Sequence, residues 1–478
     1  MPIRLFNSLS RKKEEFSPVA GTVRIYTCGP SVYNYVHIGN LRTFMFEDIL
    51  RRWLKYREYK IKQVRNITDV EDKIIRDSQK AKLPLKQFTE KYTKGFFEDI
   101  DMLHMERAEV YPSATEHIPE MVGMIKFLLD NGIAYKADDG IYYSISKFKN
   151  YGKLAHIDLK GLQAGASGRV RADEYEKENV GDFSLWKLWD KKDGDVFWET
   201  EIGKGRPGWH IECSAMSAKH LTTAFADHKF NPEKFETVDI HSGGIDLLFP
   251  HHQNEVAQTE ACIGKKFVNY WLHSEHLLVD GKKMSKSLGN FYTLRDILAK
   301  GYNPIATRYA LLSVHYRQKL NFTFNSLDAA TAAVQRLNDF FHNLDEAHGE
   351  KNNPSIAILI KDAKDKFEGA MDDDLDISPA LAAVFDFMNE INKIGIHTLT
   401  KSDAKAVAGF MEKVDSVLGV LQEEEKLPAD LQKLFDEREK ARKTKNWSRS
   451  DELRDELLKK GIAVEDTSHG TRWKRILS

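Results

Sequence analysis

A chain of 478 residues is too long for one hydrophobic core, and its length favours three or four domains. The hydrophobic fraction of 41% and the charged fraction of 30% are typical of a globular protein, and no apolar run approaches the length that spans a membrane. With 71 Lys and Arg against 72 Asp and Glu, the formal charge of −1 neither supports nor excludes an RNA partner.

The first predicted elements are a short buried strand, a turn and a helix. The strand covers residues 23–26, Gly29-Pro30 forms the turn, and apolar residues recur at helical spacing from Leu41 onwards. Gly39-Asn40 therefore lies at a helix N-terminus, where free backbone amides and the helix dipole favour an anion. His37 adds a side-chain donor, so the stretch is suited to a nucleotide phosphate, although a plain helix cap is the alternative for these few residues.

A second strand is predicted from residue 61 and ends in the polar turn 66–69. Strand, helix, strand and helix in succession indicate a parallel sheet. Ligands bind such sheets beyond the carboxyl ends of the strands, where Cys28 and Thr68 would both fall. On sequence alone, Thr68 is as readily explained as a helix cap.

Two segments after residue 200 carry further candidate ligands. Residues 203–216 open as a loop and continue into a helix that contains Cys213. Residues 238–250 indicate a strand and a glycine turn, followed by a helix that starts at His251. His251 and Glu255 are four residues apart and therefore share one helical face.

Cys28, Cys213, His251 and Glu255 are a plausible zinc set, with one position able to open for a ligand. No Cys-x-x-Cys pair accompanies them, and each residue taken alone is more often core, cap or surface. These residues do not by themselves distinguish His251 from His252. The three cysteines are an odd and sparse set that indicates a reducing compartment, and no apolar signal-peptide core precedes them, so we expect a cytoplasmic protein.

Lys283-Met-Ser-Lys-Ser287, which we call the lysine loop, lies far downstream of His37-Ile-Gly-Asn40. Together with residues 26–40, 66–69, 205–216 and 249–255, this pair resembles the cysteinyl-tRNA synthetase family of the class I aminoacyl-tRNA synthetases. The resemblance runs nearly end to end. It implies an α/β fold with a Rossmann-like parallel sheet and an insertion, followed by an α-helical bundle and a small C-terminal α+β module.

The resemblance also implies roles for individual residues. One zinc ion per subunit would be held by Cys28, Cys213, His251 and Glu255, and the substrate thiolate would complete its shell. The cysteine-binding residues would be Cys28, Gly29, Thr68, Trp209 and Asp246. The ATP-binding residues would be His37, Gly39, Asn40, Gly244 and Lys286, and catalysis would use His37, Asn40, Lys283 and Lys286.

One position departs from the family pattern. The first signature usually ends in His, whereas Asn40 can donate a hydrogen bond but cannot carry a charge. The alternative for the lysine loop is a solvated turn, the usual fate of exposed lysines.

We expect six regions along the chain. They are a first Rossmann-like half (1–115), a connective insertion (116–200), a second Rossmann-like half (201–275), a stem-contact region with the lysine loop (276–325), a helical bundle (326–425) and an anticodon-recognition module (426–478). Within the bundle, we expect the acidic run 372–374 to be solvated rather than metal-binding.

In the last region, basic residues surround single aromatics between and after two amphipathic helices. This pattern suits phosphate contacts and stacking on unpaired bases, and Trp447, Arg449, Arg472 and Trp473 are the candidate tRNA-binding residues. Acidic residues are interspersed among them, so a solvated charged helix pair is the alternative.

The resemblance implies ATP-dependent ligation of L-cysteine to tRNA(Cys) through a cysteinyl-adenylate, with Mg²⁺ accompanying ATP. A related ligase that transfers cysteine to an amino-sugar inositol would share the catalytic motifs but lack the terminal module. A catalytically silent RNA-binding relative is the third reading, and the intact zinc and lysine motifs argue against it. We expect a monomer with no membrane partner.

Overall fold

The computed structural model describes residues 2–157, 181–285, 288–422, 427–467 and 470–475. For residues 465–467, 470, 472, 474 and 475 it describes the backbone alone.

Strands and helices alternate in the first half of the chain, and helices dominate the second. The first half contains β1 (Arg4–Asn7), β2 (Lys12–Glu15), β3 (Thr22–Thr27), α1 (Ile38–Tyr56), β4 (Lys60–Arg65), α2 (Asp72–Ala81), α3 (Leu85–Met102), α4 (Ile118–Asp130), β5 (Ala134–Lys136), β6 (Gly140–Tyr143), β7 (Phe183–Leu188), β8 (Gly205–Pro207), α5 (Trp209–Leu221), β9 (Phe225–Ala226), β10 (Lys229–Phe230), β11 (Val238–Gly244), α6 (Gln253–Ile263) and β12 (Val268–Ser274). The second half contains β13 (Leu277–Val279), β14 (Lys282–Lys283), α7 (Leu294–Leu298), α8 (Pro304–Leu312), β15 (Leu320–Phe322), α9 (Phe324–Asn343), α10 (Ser355–Asp372), α11 (Ile377–Ile394), α12 (Lys401–Leu418), α13 (Ala429–Lys443), α14 (Trp447–Lys459), β16 (Ile462–Thr467) and β17 (Gly470–Arg475).

A parallel four-stranded sheet with the order β12-β11-β3-β4 forms the centre of the first half. Ile25 and Ile240 pair across β3 and β11 and join the core that contains α1. Tyr26 and Trp271 belong to the other core, which contains α5 and α6. The predicted parallel sheet, covered by helices on both faces, is confirmed, and it brings the carboxyl ends of β3, β4 and β11 to one edge.

An antiparallel sheet with the order β5-β6-β7-β8 is inserted between β4 and β11 in the sequence. After the parallel sheet, β14, β13 and β15 form a small sheet that carries the start of the lysine loop. At the end of the chain, α13 and α14 pack against the β16-β17 hairpin around a separate small core.

Between β15 and the terminal module lie the helices α9 to α12. The buried side chain of Arg308 connects the end of α12 to α1, one of the helices that cover the sheet. Arg308 of α8 pairs with Asp48 of α1 at 2.7 Å and donates to the backbone oxygens of Leu103, His104 and Leu418. Both charged side chains are almost completely buried. The α1 helix, the end of α3 and the end of α12 are therefore joined at one point.

The expectation that the acidic run 372–374 is solvated is wrong for two of its residues. Asp372 and Asp374 are buried, and only Asp373 is exposed. Asp374 accepts from Arg317 Nε at 2.7 Å, from the Tyr316 hydroxyl at 2.6 Å and from the backbone amide of Phe6 at 2.8 Å. Sequence could not reveal these distant partners, which satisfy the buried carboxylate.

Among the described residues, no helix is both long and apolar enough to cross a membrane.

Candidate active site

The ends of β3 and β4 meet at Gly29. Its amide donates to Asn66 Oδ1 at 2.9 Å, and a Cβ placed on Gly29 would lie 1.7 Å from the backbone oxygen of Asn66. No larger residue fits this approach of two backbones. Thr68 is buried beside it and donates its amide to the Pro30 oxygen at 3.0 Å. The structure therefore brings Cys28, Gly29 and Thr68 together at the predicted edge.

The four predicted metal ligands converge on one point behind this edge. The ligand atoms of Cys28, Cys213, His251 and Glu255 all lie within 4.8 Å of one another, and all four residues are buried. The two sulfurs are 3.9 Å apart, and His251 Nε2 is 3.1 Å from Glu255 Oε1. A tetrahedral zinc ion with Zn–S bonds of about 2.3 Å separates two sulfurs by about 3.8 Å. The cluster could hold a metal ion.

The orientation of His251 is set by its neighbours. Its Nδ1 atom lies 2.9 Å from His210 Nδ1, so its Nε2 atom is the one that faces Glu255. The indole of Trp209 stacks on the His251 ring with centroids 4.2 Å apart and remains 38% exposed. Trp209 therefore lies between the buried cluster and solvent.

Burial works against the charged forms of three residues in this cluster. It raises the pKa of the Cys28 thiol, with a further contribution from Cys213, and it raises the pKa of the Glu255 carboxyl. It also lowers the pKa of His251. Thiolates and a carboxylate in such a place need a compensating cation, which is the condition that a bound divalent metal satisfies. The residues present therefore fit zinc.

The backbone amides at the N-terminus of α1 are not free, in contrast to what the sequence led us to expect. His37 Nδ1 accepts from the amides of Gly39 and Asn40 at 3.0 and 3.2 Å, and the Ile38 amide donates to the Tyr292 oxygen at 2.9 Å. The prediction that these amides stay open for an anion is therefore wrong. The sequence pattern could not show that His37 would cap its own helix.

The cap defines the chemistry of His37. Because Nδ1 accepts, the proton of the neutral ring lies on Nε2, which is left to donate to a ligand. Burial lowers the pKa of His37 to about 4, with Asp246 acting in the opposite direction. At neutral pH, His37 is therefore an uncharged hydrogen-bond donor.

Gly244 and Asp246 lie where β11 ends, next to the cap. A Cβ on Gly244 would stand 2.4 Å from Asp246 Oδ1 and 3.6 Å from Thr43 Oγ1 of α1. Gly244 is buried, whereas Asp246 is exposed. The glycine thus permits the Asp246 carboxylate to fold back over the strand end.

The lysine loop reaches the same place from the other side. The Met284 Cε atom lies 2.7 Å from where a Cβ on Gly39 would stand, so Gly39 leaves the room that Met284 needs. Lys283 is exposed at the end of β14. Lys286, the second predicted lysine, lies outside the described residues.

Asn290 holds the described first part of the lysine loop, and the sequence alone did not point to it. Its Oδ1 accepts from the Ser285 amide at 2.8 Å, and its Nδ2 donates to the Lys283 oxygen at 3.3 Å. Three imidazoles around the metal cluster were also missed, those of His210, His241 and His273. His210 lies within the matching segment 205–216, whereas no local signal pointed to His241 or His273.

The candidate tRNA residues are distributed over the terminal module. Trp447 is 56% exposed at the start of α14, with the Arg442 guanidinium 5.8 Å from its ring. Arg449 is paired with Glu437 and Glu452. Trp473 packs against the module core, and the side chain of Arg472 lies outside the description.

Comparisons with known proteins agree with this arrangement. The family model for the "tRNA synthetases class I (C) catalytic domain" matches residues 15–332, the "DALR domain" matches residues 366–422, and the "Cysteinyl-tRNA ligase anticodon binding domain" matches residues 424–473. In three dimensions the chain resembles methionyl-tRNA synthetase of Mycobacterium tuberculosis, with a TM-score of 0.59 at 13% identity, covering 84% of this chain and 90% of that one. At that identity, the likeness shows the class I fold alone.

Curated relatives resemble the chain over its whole length. The Cysteine--tRNA ligase of Protochlamydia amoebophila is 51% identical, over 99% of this chain and 98% of the relative. Those of Brachyspira hyodysenteriae and Chlamydia pneumoniae are 45% and 48% identical, covering 99% and 98% of this chain and 99% and 97% of the relatives. The chain therefore belongs to the cysteinyl-tRNA synthetase family of the class I aminoacyl-tRNA synthetases.

Proposed function

We propose that the protein ligates L-cysteine to tRNA(Cys) in two steps, with ATP and Mg²⁺ as co-substrates. The cysteine carboxylate attacks the α-phosphate of ATP, which forms cysteinyl-adenylate and releases pyrophosphate. A terminal hydroxyl of the tRNA then takes the cysteinyl group and releases AMP. One observation carries this proposal: a buried metal-donor cluster, the cap of α1 and the lysine loop meet at one edge of the parallel sheet.

The cysteine side chain would bind at the cluster formed by Cys28, Cys213, His251 and Glu255. A zinc ion there binds and acidifies a thiol in preference to a hydroxyl, because sulfur is the softer ligand. This matters because an apolar pocket alone discriminates poorly between near-isosteric side chains. Selection at binding would thus not require an editing step.

The rest of the amino acid would be held by the surrounding strand ends. Trp209 walls the pocket beside His251, and Thr68, just beyond β4, pairs with Ser31. Asp246 supplies an exposed carboxylate for the ammonium group of cysteine, and Thr68 supplies a hydroxyl toward its carboxylate. These contacts would orient the carboxylate for in-line attack.

ATP would bind where α1 begins. His37 offers a neutral Nε2–H donor, and Asn40 offers its side-chain amide. Gly39 and Gly244 would line the ATP site, where they leave the space that Met284 and Asp246 occupy. Lys283 and Lys286 would stabilise the charge that develops on the α-phosphate and the departing pyrophosphate. Catalysis is then electrostatic, because no side chain forms a bond to the substrate.

The terminal module would recognise the tRNA. Its match to an anticodon-binding family supports this role and disfavours the alternative ligase that acts on an amino-sugar inositol. We propose that Trp447, Arg449, Arg472 and Trp473 contribute to that contact. We also propose a cytoplasmic monomer, since three free buried cysteines suit a reducing compartment and one chain supplies all of the described site residues.

Cysteine-dependent pyrophosphate exchange, followed by aminoacylation of tRNA(Cys), tests the proposal. Cys213→Ser should severely reduce exchange and the preference for cysteine over serine, whereas Cys262→Ser removes an equally buried thiol outside the cluster and should preserve both. Wild-type exchange in a Cys213→Ser protein that retains one zinc ion per chain would refute the metal-based selection. Exchange without charging of tRNA(Cys) would refute the assigned acceptor.

A further inference from the structure

Two more imidazoles lie inside the metal cluster, and they complete a second set of donors. The ligand atoms of Cys28, His241, His252 and Glu255 also lie within 4.8 Å of one another, and all four residues are buried. This second set shares Cys28 and Glu255 with the set that contains Cys213 and His251. One ion can therefore occupy either position.

The distances in the second set suit one shared ion. His252 Nε2 is 3.4 Å from Cys28 Sγ, and His241 Nε2 is 3.0 Å from Glu255 Oε2. Around a tetrahedral zinc ion, a nitrogen and a sulfur are separated by about 3.6 Å, and a nitrogen and an oxygen by about 3.4 Å. Small side-chain movements would bring all four atoms to bonding distance.

Both imidazoles are held in place, His252 through its second ring nitrogen, as metal-binding histidines commonly are, and His241 by ring stacking. His252 Nδ1 lies 2.8 Å from His273 Nε2, and His273 Nδ1 lies 2.8 Å from Ser8 Oγ. His241 stands in the middle of β11, where its ring stacks on Trp271 with centroids 4.5 Å apart. Their nitrogens thus already point toward Cys28 and Glu255.

The two positions differ in charge and in access. With a divalent ion, two thiolates and one carboxylate leave a net charge of −1, whereas one thiolate and one carboxylate with two neutral imidazoles leave none. A neutral complex costs less to bury. The second position is enclosed by the rings of Tyr26 and Trp271, while the first lies beside the partly exposed Trp209.

We propose that Cys28, His241, His252 and Glu255 form an inner metal position, which holds the ion when Cys213 or His251 is not available as a ligand. The proposal rests on the proposed zinc centre and deepens it. An ion in the inner position stays bound to the protein but no longer faces the cysteine pocket. Metal retention and cysteine selection are then separate properties of this chain.

Cobalt(II) added to metal-free protein tests the inner position, because thiolate-to-cobalt absorption reports the number of sulfur ligands. Cys213→Ala should bind one Co²⁺ per chain with about half of the wild-type charge-transfer intensity, since one thiolate remains of two. Adding His252→Gln to Cys213→Ala should weaken Co²⁺ binding by at least about tenfold. The matched variant Cys262→Ala should bind Co²⁺ as the wild type does.

Circular dichroism establishes that each variant is folded, and X-ray absorption of the Co²⁺-loaded Cys213→Ala protein provides a second measurement. One sulfur and two imidazoles around the metal would support the inner position. A folded Cys213→Ala protein that binds no Co²⁺ would overturn it, as would an unchanged affinity after adding His252→Gln. Neither result bears on the exchange activity of the wild type. The proposed function is therefore tested independently of the inner position.

Discussion

His37 and Asn40 cap each other at the start of α1. His37 Nδ1 accepts from the Asn40 amide at 3.2 Å, and Asn40 Oδ1 accepts from the His37 amide at 3.4 Å. The side-chain oxygen of Asn40 is thus used to hold the helix, and its side-chain NH₂ group remains as the donor for a ligand.

This reciprocal cap predicts different effects for two substitutions of Asn40. Asn40→Asp keeps the acceptor and places a negative charge at a helix N-terminus, so the urea midpoint should be unchanged or higher. The same charge should raise the KM for ATP by about tenfold, or ~1.4 kcal/mol. Asn40→Ala loses the acceptor and should destabilise the protein by about 0.5–1.5 kcal/mol, the usual contribution of one hydrogen bond. Equal urea midpoints for the two variants would contradict the capping role.

Two histidines should make the protein less stable in mild acid. Burial lowers the pKa of His37 to about 4, and burial together with the neighbouring His117 lowers the pKa of His220 to about 4. The unfolded chain takes up these protons near pH 6.5, whereas the folded protein takes them up only near pH 4. Their contribution to stability is therefore complete above pH 6.5 and is lost progressively between pH 6.5 and 4.

Denaturation midpoints measured from pH 7 to pH 4.5 check this expectation. His220→Gln cannot titrate, so its midpoint should fall less steeply than that of the wild type over this interval. Parallel curves for the two proteins would show that His220 does not contribute.

The second lysine of the lysine loop should act in the adenylation transition state. Removing one preorganised donor of this kind costs about 2.7–4 kcal/mol, so Lys286→Ala should slow cysteine-dependent pyrophosphate exchange by ~100- to 1,000-fold. Lys282→Ala is the matched control, because Lys282 is an exposed lysine on the neighbouring strand β14. A loss of only severalfold in Lys286→Ala would remove Lys286 from the transition state.

The terminal module should serve tRNA recognition and not adenylation. A protein truncated near Leu427 should keep pyrophosphate exchange and charge tRNA(Cys) more weakly. Trp447→Ala should cost ~1–3 kcal/mol in tRNA binding if a base stacks on the exposed indole. Leu458→Ala is a suitable control, because it removes a similarly exposed apolar side chain from the same helix. If the truncated enzyme charged tRNA(Cys) as well as the full chain, the module would be structural.

The spacing of apolar residues and the positions of glycine and proline were sufficient to predict the elements that build this site. The strand before Cys28, the helix with Cys213 and the shared face of His251 and Glu255 follow from local sequence, because strand and helix spacing are local properties. The convergence of four ligands from separate elements does not follow from spacing, and the family resemblance supplied it.

Other features depend on partners that are distant in sequence. Asp374 looks like part of a solvated acidic run until Phe6 and Arg317 are brought to it by the fold. For residues 37–40 alone a plain helix cap was the local alternative, and the downstream lysine loop favoured an anion site instead. That the His37 ring itself accepts from the helix amides was not predicted, because histidine is an unusual acceptor there. Hydrogen bonds that satisfy buried polar groups often come from residues far away in the sequence, and no short stretch of sequence reveals them.

Through the contacts of Arg308, α1 links the helical bundle to the ATP-facing end of the site. His37 caps the start of this helix, and the bundle is fixed to it at Asp48 near its middle, roughly 16 Å from His37. A tilt of about 3.5° at Asp48 would move the ATP-facing end by roughly 1 Å, a displacement that can cost about 100-fold in rate. A shift of the bundle, caused by tRNA binding or by a substitution, would thus change the rate of adenylation.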